Sequence, residues 1–224
     1  LNGPIVIISV DTLRADHLPA YGYSKVKTPA IDALAADGVT FTRAYAHAPV
    51  TLPSHVALLS GRLPFETGVR DDSGPAVKRS ERLLAQMLRE RGYATGGIVS
   101  ASLLRRETGI NQGFDFFDDD LPQNPEELTA GPLERDGGRS EEIAEHWLEG
   151  LGSSRAFLFL QLNEPHAPYV PPDRFAEYSP YDGEIAYADE VVGRLVHFLK
   201  AHQMYDRSTI LLLGAALLLP LAGS

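Results

Sequence analysis

Cysteine is absent from this 224-residue sequence. Its absence excludes disulfide bonds, thiolate metal sites and a cysteine nucleophile. Positive charge is scarce as well, since 20 Lys and Arg stand against 30 Asp and Glu, for a formal net charge of -10. This balance argues against a nucleic-acid partner, because a phosphate backbone selects for clustered Lys and Arg. A small anionic substrate remains compatible with it, because the local charge of a site can oppose the net charge.

A hydrophobic run long enough to cross a bilayer is also missing. The most apolar stretch, residues 210–223 (ILLLGAALLLPLAG), is shorter than the roughly 20 residues of a membrane helix. We interpret it as the continuation of a buried strand over 209–213 into an atypical apolar tail over 214–224, so membrane association is not expected. A strand-like run begins by Ile5, and no signal peptide is visible in the residues given, which leaves open one that precedes Leu1 or has been removed.

Strand and helix signals alternate along the chain. Apolar and β-branched runs predict strands at 4–11 (PIVIISVD), 39–46 (VTFTRAYA), 94–101 (ATGGIVSA), 156–163 (AFLFLQLN) and 209–213. Helical spacing with capping and stop signals predicts helices at 28–38, 52–60, 79–91, 141–151 and 185–202. Residues 118–139, rich in Asp, Pro and Gly, predict a surface loop. The alternation indicates an α/β fold with a mainly parallel sheet sandwiched between helices.

The first candidate for chemistry is Asp11, the last residue of the first predicted strand. The carboxyl ends of parallel strands are where open α/β sheets gather their ligands. A carboxylate there suits a hard divalent cation. The alternative is that Asp11 merely caps the following turn.

The second candidate is Thr51, directly before a predicted helix that carries Pro53 in its first turn. A helix N-terminus attracts anions and lowers the pKa of a nearby hydroxyl. A threonine hydroxyl there is a nucleophile once a base or a metal activates it. The alternative is a plain N-cap, with Ser54 and His55 exposed to solvent.

The third candidate is His166, which follows another buried strand and lies between prolines that stiffen its backbone. A histidine in this position can bind a metal, donate to an anionic oxygen or protonate a leaving group. The alternative is a purely structural histidine.

Together these segments resemble the sulfatase-type branch of the alkaline phosphatase superfamily. Residues 51–62 (TLPSHVALLSGR) are similar to that family's signature, which reads Cys or Ser, any residue, Pro, Ser, Arg, then LLTGR. Residues 10–23 (VDTLRADHLPAYGY) resemble its first metal-binding segment, and 164–172 (EPHAPYVPP) its histidine-containing segment. Residues 181–195 (YDGEIAYADEVVGRL) resemble the helix that follows. The resemblance implies an alkaline-phosphatase-like catalytic domain over residues 1–213, incomplete at its C-terminus.

The resemblance also implies roles for individual residues. Asp11 and Thr51 are expected to bind a divalent metal ion (Zn, Ca or Mn), with Thr51 also the covalent nucleophile. His166 is expected to contact a substrate oxygen, assist the leaving group or ligate a second metal, and Glu164 to share that role. His55 and Asp72 are the other expected substrate-binding residues. Arg14 and Asp16 are expected to organise the metal ligands, and location outside the cytoplasm is expected as for many relatives.

Four departures from the family pattern bear on function. Thr51 replaces the Cys or Ser that sulfatases convert to formylglycine, which favours direct attack by the hydroxyl. His55 replaces the signature arginine, and Asp72 stands where relatives often carry an Asn oxyanion donor, so an ionised carboxylate there repels developing negative charge. Ala216 and Leu217 fall where an Asp-His or Asp-Asn pair completes the metal site.

The predicted function is therefore metal-dependent hydrolysis of a small anionic sulfate or phosphate ester through a covalent threonine intermediate, with phosphate favoured by Thr51. Two alternatives accompany it. One is a catalytically inactive, truncated sulfatase-like fragment, favoured by Ala216 and Leu217. The other is a transferase of the phosphoryl or phosphoethanolamine type, which hands its group to an alcohol instead of water.

Overall fold

A computed structural model of the protein describes residues 3–121, 134–152 and 154–215. Within them five strands form one sheet, and six α-helices are joined by loops and short 3₁₀ turns. The strands are β1 (Ile5–Asp11), β2 (Ala94–Ile98), β3 (Phe116–Asp118), β4 (Ala156–Leu162) and β5 (Thr209–Ala215). The helices are α1 (Pro29–Asp37), α2 (Thr51–Ser60), α3 (Pro64–Thr67), α4 (Leu84–Arg89), α5 (Gly137–Gly150) and α6 (Pro180–Ala201).

The sheet runs in the order β3-β2-β4-β1-β5, and every neighbouring pair is parallel. Parallel neighbours need crossover connections, and here helices supply them on both faces of the sheet. The predicted α/β fold with a mainly parallel sheet between helices is thus confirmed. Strand β1 lies between β4 and β5, so the loops after all three strands meet at one edge of the sheet.

Side-chain alternation along β1 divides the core into two parts. Val6, Ile8 and Val10 point to the face covered by α1, α5 and α6. Ile7 points to the opposite face, where it packs in a cluster with Leu52 of α2. Because successive side chains of a strand point to opposite faces, Ser9 and Asp11 share the α2 face with Ile7.

The segment predicted as a strand at 39–46 does not form one, and this expectation is wrong. The structure shows irregular backbone there, with Val39, Phe41 and Tyr45 exposed. Alternating side chains favour a strand only where a neighbouring strand accepts its backbone hydrogen bonds. None of the described strands pairs with this segment.

Helix ends differ from their predicted positions for local reasons. The helix predicted at 79–91 begins only at Leu84, because Leu83 is extended and its N–H donates to Gln86 Oε1 at 2.7 Å. Helix α6 begins earlier than predicted, at Pro180, because Ser179 Oγ accepts from the Asp182 N–H at 3.3 Å. An N-cap of this kind satisfies a backbone donor that the helix itself leaves unpaired.

Strand β5 continues to Ala215, two residues beyond the predicted domain boundary at 213. Residues 216–224, which include Ala216 and Leu217, and residues 122–133 of the predicted surface loop lie outside the described residues. Among the residues that are described, no helix combines the length and apolarity required to cross a membrane.

Candidate active site

Asp11 lies at the end of β1 with only 1% of its surface exposed. Its Oδ1 accepts a hydrogen bond from the Thr12 N–H at 3.0 Å, and its Oδ2 accepts from the Thr51 hydroxyl at 3.1 Å. Burial raises the pKa of Asp11 to about 7, and the hydrogen bonds from Thr12 and Thr51 offset only part of that rise. Asp11 is therefore a buried carboxyl that titrates near neutrality and holds the Thr51 hydroxyl.

Thr51 is the first residue of α2 rather than its cap. Val50 occupies the N-cap position in an extended conformation and makes no side-chain capping bond. The Thr51 hydroxyl instead donates to Asp11, and Thr51 is 6% exposed. The alternative of a plain threonine cap with Ser54 and His55 in solvent does not describe this structure, because both of those residues are buried.

Asp72 occupies the N-terminus of α2, the place where a helix attracts an anion. Its Oδ1 accepts from the Leu52 N–H at 2.7 Å. The next residue, Pro53, has no N–H, and the Ser54 N–H already donates to the Val50 carbonyl at 3.2 Å. A substrate anion that approaches this helix end therefore meets a carboxylate in the position that it would take. Asp72 also contributes to the raised pKa of Asp11 through charge repulsion.

His55 lies beneath the site and not in it. Its Nε2 is 2.8 Å from Ser9 Oγ, its Nδ1 is 2.7 Å from the Thr51 carbonyl, and its exposed fraction is 0%. Complete burial lowers the pKa of His55 to about 4, so the ring is neutral. With both ring nitrogens in hydrogen bonds inside the core, the expected substrate contact does not agree with this position. His55 instead ties the first turn of α2 to β1.

His166 lies on the loop after β4, between the sheet and α6. Its backbone N–H donates to Glu184 Oε2 at 2.8 Å, and its Nδ1 lies 2.9 Å from the Ala167 carbonyl and 3.1 Å from Glu134 Oε1. The hydrogen bond to Glu134 raises the pKa of His166, and the charge of Asp11 adds to that rise. His166 therefore carries a proton more readily than an ordinary histidine, in the electrostatic neighbourhood of Asp11.

Glu164 is directed toward α5 rather than toward Thr51. Its Oε1 accepts from the Gly137 N–H at 2.9 Å, while its buried Oε2 has no hydrogen-bond partner. Burial raises the pKa of Glu164 to about 7, and the charges of Asp136 and Glu184 add to the rise. Its observed contacts stabilise the start of a helix and do not reach Asp11 or Thr51.

Arg14 and Asp16 pair with each other at the surface. The guanidinium Nη2 of Arg14 lies 2.6 Å from Asp16 Oδ2, and 66% of the Asp16 side chain is exposed. Neither side chain contacts Asp11. The expectation that the two organise a metal site is not supported by these contacts.

Three further residues lie around Asp11, Thr51 and His166, and no motif in the sequence points to their roles. Ser9 positions His55, Glu134 contacts His166, and the Tyr181 hydroxyl donates to the Thr12 carbonyl at 2.7 Å. A polar serine inside an otherwise apolar strand was a usable signal for the first. Glu134 lies far from His166 in sequence and carries no signal. Tyr181 opens the segment 181–195 that resembles the family, but nothing in that segment indicates its contact with Thr12.

A cavity of about 690 Å³ adjoins the site. Its lining includes Leu13, Ser54 and Ala215, which neighbour the pair in sequence or in space, but neither Asp11 nor Thr51. The apolar edge of β5, the exposed segment 39–46, one side of α1 and the loop after β1 also line it.

The expected divalent metal fits this site in chemistry but not in ligand number. The Asp11 carboxylate and the Thr51 hydroxyl are hard oxygen ligands, and the carboxylate has no Lys or Arg partner among the described ion pairs. A hard cation takes about six oxygens or more. Within the part of the chain that the structure describes, no group of three or more Asp, Glu or His side chains is arranged to hold an ion.

Comparison with known proteins agrees with the resemblance drawn from the motifs. The family model described as Sulfatase matches residues 4–214. The N-acetylgalactosamine-6-O-sulfatase of Bacteroides thetaiotaomicron is 41% identical over 99 residues, which cover 41% of this chain and 19% of that protein. The chain therefore matches about a fifth of the length of this curated relative.

Solved structures share the fold. The crystal structure of Ps i-CgsB in complex with k-i-k-neocarrahexaose superposes with a TM-score of 0.81 at 24% identity, over 96% of this chain and 58% of that one. The phosphonate monoester hydrolase of Agrobacterium radiobacter superposes with a TM-score of 0.80 at 18% identity, over 95% of this chain and 62% of that one. These likenesses confirm the predicted alkaline-phosphatase-like fold.

Proposed function

The chain belongs to the sulfatase family, and from that premise we propose that it carries the nucleophile of a hydrolase that cleaves sulfate or phosphate esters. Thr51 is the proposed nucleophile. The observation that carries the proposal is the buried hydrogen bond from the Thr51 hydroxyl to Asp11 Oδ2, 3.1 Å long, at the N-terminus of α2.

Asp11 orients the nucleophile and accepts its proton. With the Thr51 hydrogen directed at Oδ2, the lone pairs of Oγ1 face away from the carboxylate, toward an incoming ester. A base is most effective when its pKa lies near the working pH, and burial raises the pKa of Asp11 to about 7. The pair therefore has the two parts of an activated nucleophile, a hydroxyl and an adjacent base.

The proposed reaction has two steps. Thr51 Oγ1 forms a bond to the sulfur or phosphorus of the ester, the bond to the leaving oxygen breaks, and the Thr51 proton passes to Asp11. His166, whose pKa is raised by Glu134, supplies a proton to the leaving oxygen. Water then forms a bond to the sulfur or phosphorus of the threonine ester and gives a proton to His166, the bond to Thr51 Oγ1 breaks, that oxygen takes back the proton held by Asp11, and sulfate or phosphate is released. An alcohol in place of that water gives the transferase variant of the same chemistry.

Sulfate esters are the first substrate class to test, because one curated relative is named N-acetylgalactosamine-6-O-sulfatase. Phosphate and phosphonate esters come second, because an unmodified threonine hydroxyl attacks phosphorus directly and one structural neighbour is a phosphonate monoester hydrolase. A divalent cation, if bound here, would supply Lewis-acid polarisation of a nonbridging oxygen. Asp11 and Thr51 are the residues that offer oxygens to it.

The competing function is a non-catalytic member of the family. Two observations favour it. Asp11 and Thr51 are the only metal ligands that the described residues offer at this site, and Ala216 and Leu217 cannot bind a cation. An inactive chain of this kind would keep the fold and lose turnover.

The test measures release of p-nitrophenol from p-nitrophenyl sulfate, phosphate and phenylphosphonate, each with added Ca, Mg, Mn or Zn. We expect Thr51→Ala to lower kcat by about 10³-fold or more, as loss of a nucleophile does. Thr108→Ala is the matched control, because the Thr108 hydroxyl donates to the Arg105 carbonyl within its own turn.

Acid-quenched protein is digested, and the peptide that carries Thr51 is searched by mass spectrometry for a covalent sulfuryl or phosphoryl group. Turnover that survives Thr51→Ala would remove threonine as the nucleophile. No turnover of any ester with any of the four metals would favour the non-catalytic alternative.

A further inference from the structure

The residue that follows Asp11 has an unusual backbone conformation. Thr12 has a φ of 45°, in the left-handed region, where a β-branched residue is disfavoured by contact between its side chain and its own backbone. Such a conformation persists only where the surroundings hold it, and it is most often found at functional sites. The contacts that hold Thr12 are therefore informative.

Both peptide groups of Thr12 are fixed by hydrogen bonds. Its N–H donates to Asp11 Oδ1 at 3.0 Å and to the Ala215 carbonyl at 2.8 Å. Its carbonyl accepts from the Tyr181 hydroxyl at 2.7 Å, and the same hydroxyl accepts from the Arg14 N–H at 3.1 Å. One phenol oxygen thus bridges the two sides of the turn that follows β1.

The Tyr181 ring is itself held in place. It packs edge-on against Tyr169 at 5.4 Å and against His17 at 5.0 Å between ring centres. The next residue, Asp182, lies 2.7 Å from His17 Nδ1 and accepts from the Tyr23 hydroxyl at 2.7 Å. Tyr181 and Asp182, in the first turn of α6, therefore bind the loop after β1 through hydrogen bonds and ring contacts. Burial raises the pKa of Tyr181 above its ordinary value, so its hydroxyl keeps the proton that it donates.

The conformation of Thr12 matters because of what its N–H does. By engaging Asp11 Oδ1, that N–H fixes the rotation of the carboxyl group and leaves Oδ2 directed at the Thr51 hydroxyl. The φ rotation of Thr12 joins the peptide that carries this N–H, which also donates to the Ala215 carbonyl, to the peptide whose carbonyl accepts from Tyr181. Loss of the Tyr181 hydrogen bond frees the second peptide, and the Asp11 carboxyl group loses its direction to the extent that the first peptide follows.

We propose that Tyr181 is a positioning residue, which holds the Thr12 peptide in its left-handed conformation and thereby aims the Asp11 carboxyl group at Thr51. The proposal rests on the proposed function only for its effect on turnover. Its effect on the Thr12 backbone is independent of turnover.

The test compares Tyr181→Phe, which deletes only the bridging oxygen, with Tyr205→Phe as the matched control. The Tyr205 hydroxyl bonds to Asp37 Oδ2 at 2.9 Å at an exposed position. We expect Tyr181→Phe to lower kcat by about tenfold or more, because a slightly misdirected catalytic group loses rate steeply, with KM changed by less than about twofold. We also expect the Thr12 ¹³Cα and ¹³Cβ chemical shifts to move away from left-handed values, and Tyr205→Phe to change neither quantity.

Measuring Tyr181→Phe in a Thr12→Asn variant as well separates a positioning role from a general loss of packing. Asn adopts the left-handed region more easily than Thr. In a Thr12→Asn background, Tyr181→Phe is therefore expected to cost less in kcat than it does beside Thr12. An equal cost in both backgrounds would overturn the proposal.

Other outcomes are equally decisive. A kcat that matches the wild type in Tyr181→Phe, or a fall in kcat without movement of the Thr12 shifts, would also overturn it. If the wild-type protein cleaves no ester, the proposed function fails while the Thr12 shifts still decide the present inference. Shifts that move in Tyr181→Phe would support it, and unchanged shifts would refute it.

Discussion

Replacing Asp72 with asparagine is expected to raise kcat/KM for anionic esters and the affinity of the site for sulfate and phosphate. Asp72 Oδ1 accepts the Leu52 N–H at 2.7 Å, so its negative charge lies at the N-terminus of α2. Asparagine keeps a carbonyl oxygen for that N–H and replaces the other oxygen with an NH₂ donor. The change therefore removes a repulsive charge and adds a donor that a sulfate or phosphate oxygen can accept.

The size of the effect follows from the charge separation. If an ester oxygen at this helix end is taken to lie about 5 Å from the Asp72 carboxylate, two unit charges at that separation repel by about 3 kcal/mol at an effective dielectric constant of about 20. Asp72 is only partly buried, so solvent screening reduces this to about 1–2 kcal/mol. Since about 1.4 kcal/mol corresponds to a tenfold change, we expect kcat/KM to rise by about 5- to 30-fold.

The assay is kcat/KM for the p-nitrophenyl ester that is turned over best, together with the Kd of inorganic sulfate and phosphate measured by calorimetry. The matched control is Asp71→Asn, because Asp71 is exposed and binds Ser73 instead of the helix end. Stability is expected to change little, since Asn and Asp serve almost equally well at helix N-termini. Unchanged kcat/KM and anion affinity in Asp72→Asn, or an equal gain in Asp71→Asn, would refute the reasoning.

Two further predictions concern stability. In the folded protein the pKa of Glu164 is raised from 4.5 to about 7. Ionising Glu164 therefore destabilises the fold, an effect that is absent below about pH 4.5 and grows until the pH passes 7. Glu164→Gln is expected to raise the free energy of unfolding in urea by about 1–3 kcal/mol at pH 8 and to leave it unchanged at pH 4. The exposed Glu177→Gln should show no such difference, and an equal gain for Glu164→Gln at both pH values would contradict the argument. Ser9→Ala is expected to cost about 1–3 kcal/mol, because it leaves the buried Nε2 of His55 without a partner. The exposed Ser73→Ala is its control, and an unchanged urea midpoint for Ser9→Ala would show that this nitrogen finds another partner.

The parts of the fold that could be read from the sequence are those in which local pattern and tertiary burial agree. The first predicted strand is apolar on both faces because β1 is covered on both faces, and the same holds for β4. The strand predicted at 39–46 failed because alternation describes only one side of a strand and cannot supply a pairing partner. The positions of helix ends failed where side chains such as those of Gln86 and Ser179 decided them.

The candidate site divides in the same way. The sequence points to Asp11 and Thr51 because each lies at the end of an element, where the chemistry of strand ends and helix starts is predictable, and the structure brings the two into contact. Their roles in catalysis and metal binding stay predictions. The neighbours of His55 in sequence predict a contact with the substrate, but His55 lies one helical turn deeper on the same face of α2 as Thr51, where it meets Ser9 of β1 instead of the strand end. Contacts such as Tyr181 with Thr12 join residues far apart in the chain, and no local pattern encodes them.

The meeting of Asp11 with Thr51 has a simple geometric origin in β1. Side chains alternate along a strand, so Ile7, Ser9 and Asp11 all point to the face on which α2 packs. Ile7 anchors that face in the core, Ser9 bonds His55 one turn into α2, and Asp11 then reaches Thr51, the first residue of the same helix. The contact between Ser9 and His55 fixes the position of α2 along β1. The contact between Asp11 and Thr51 therefore depends on this buried contact in the core. A substitution that shifts α2 by one turn would separate Thr51 from Asp11 while leaving both residues and the fold intact.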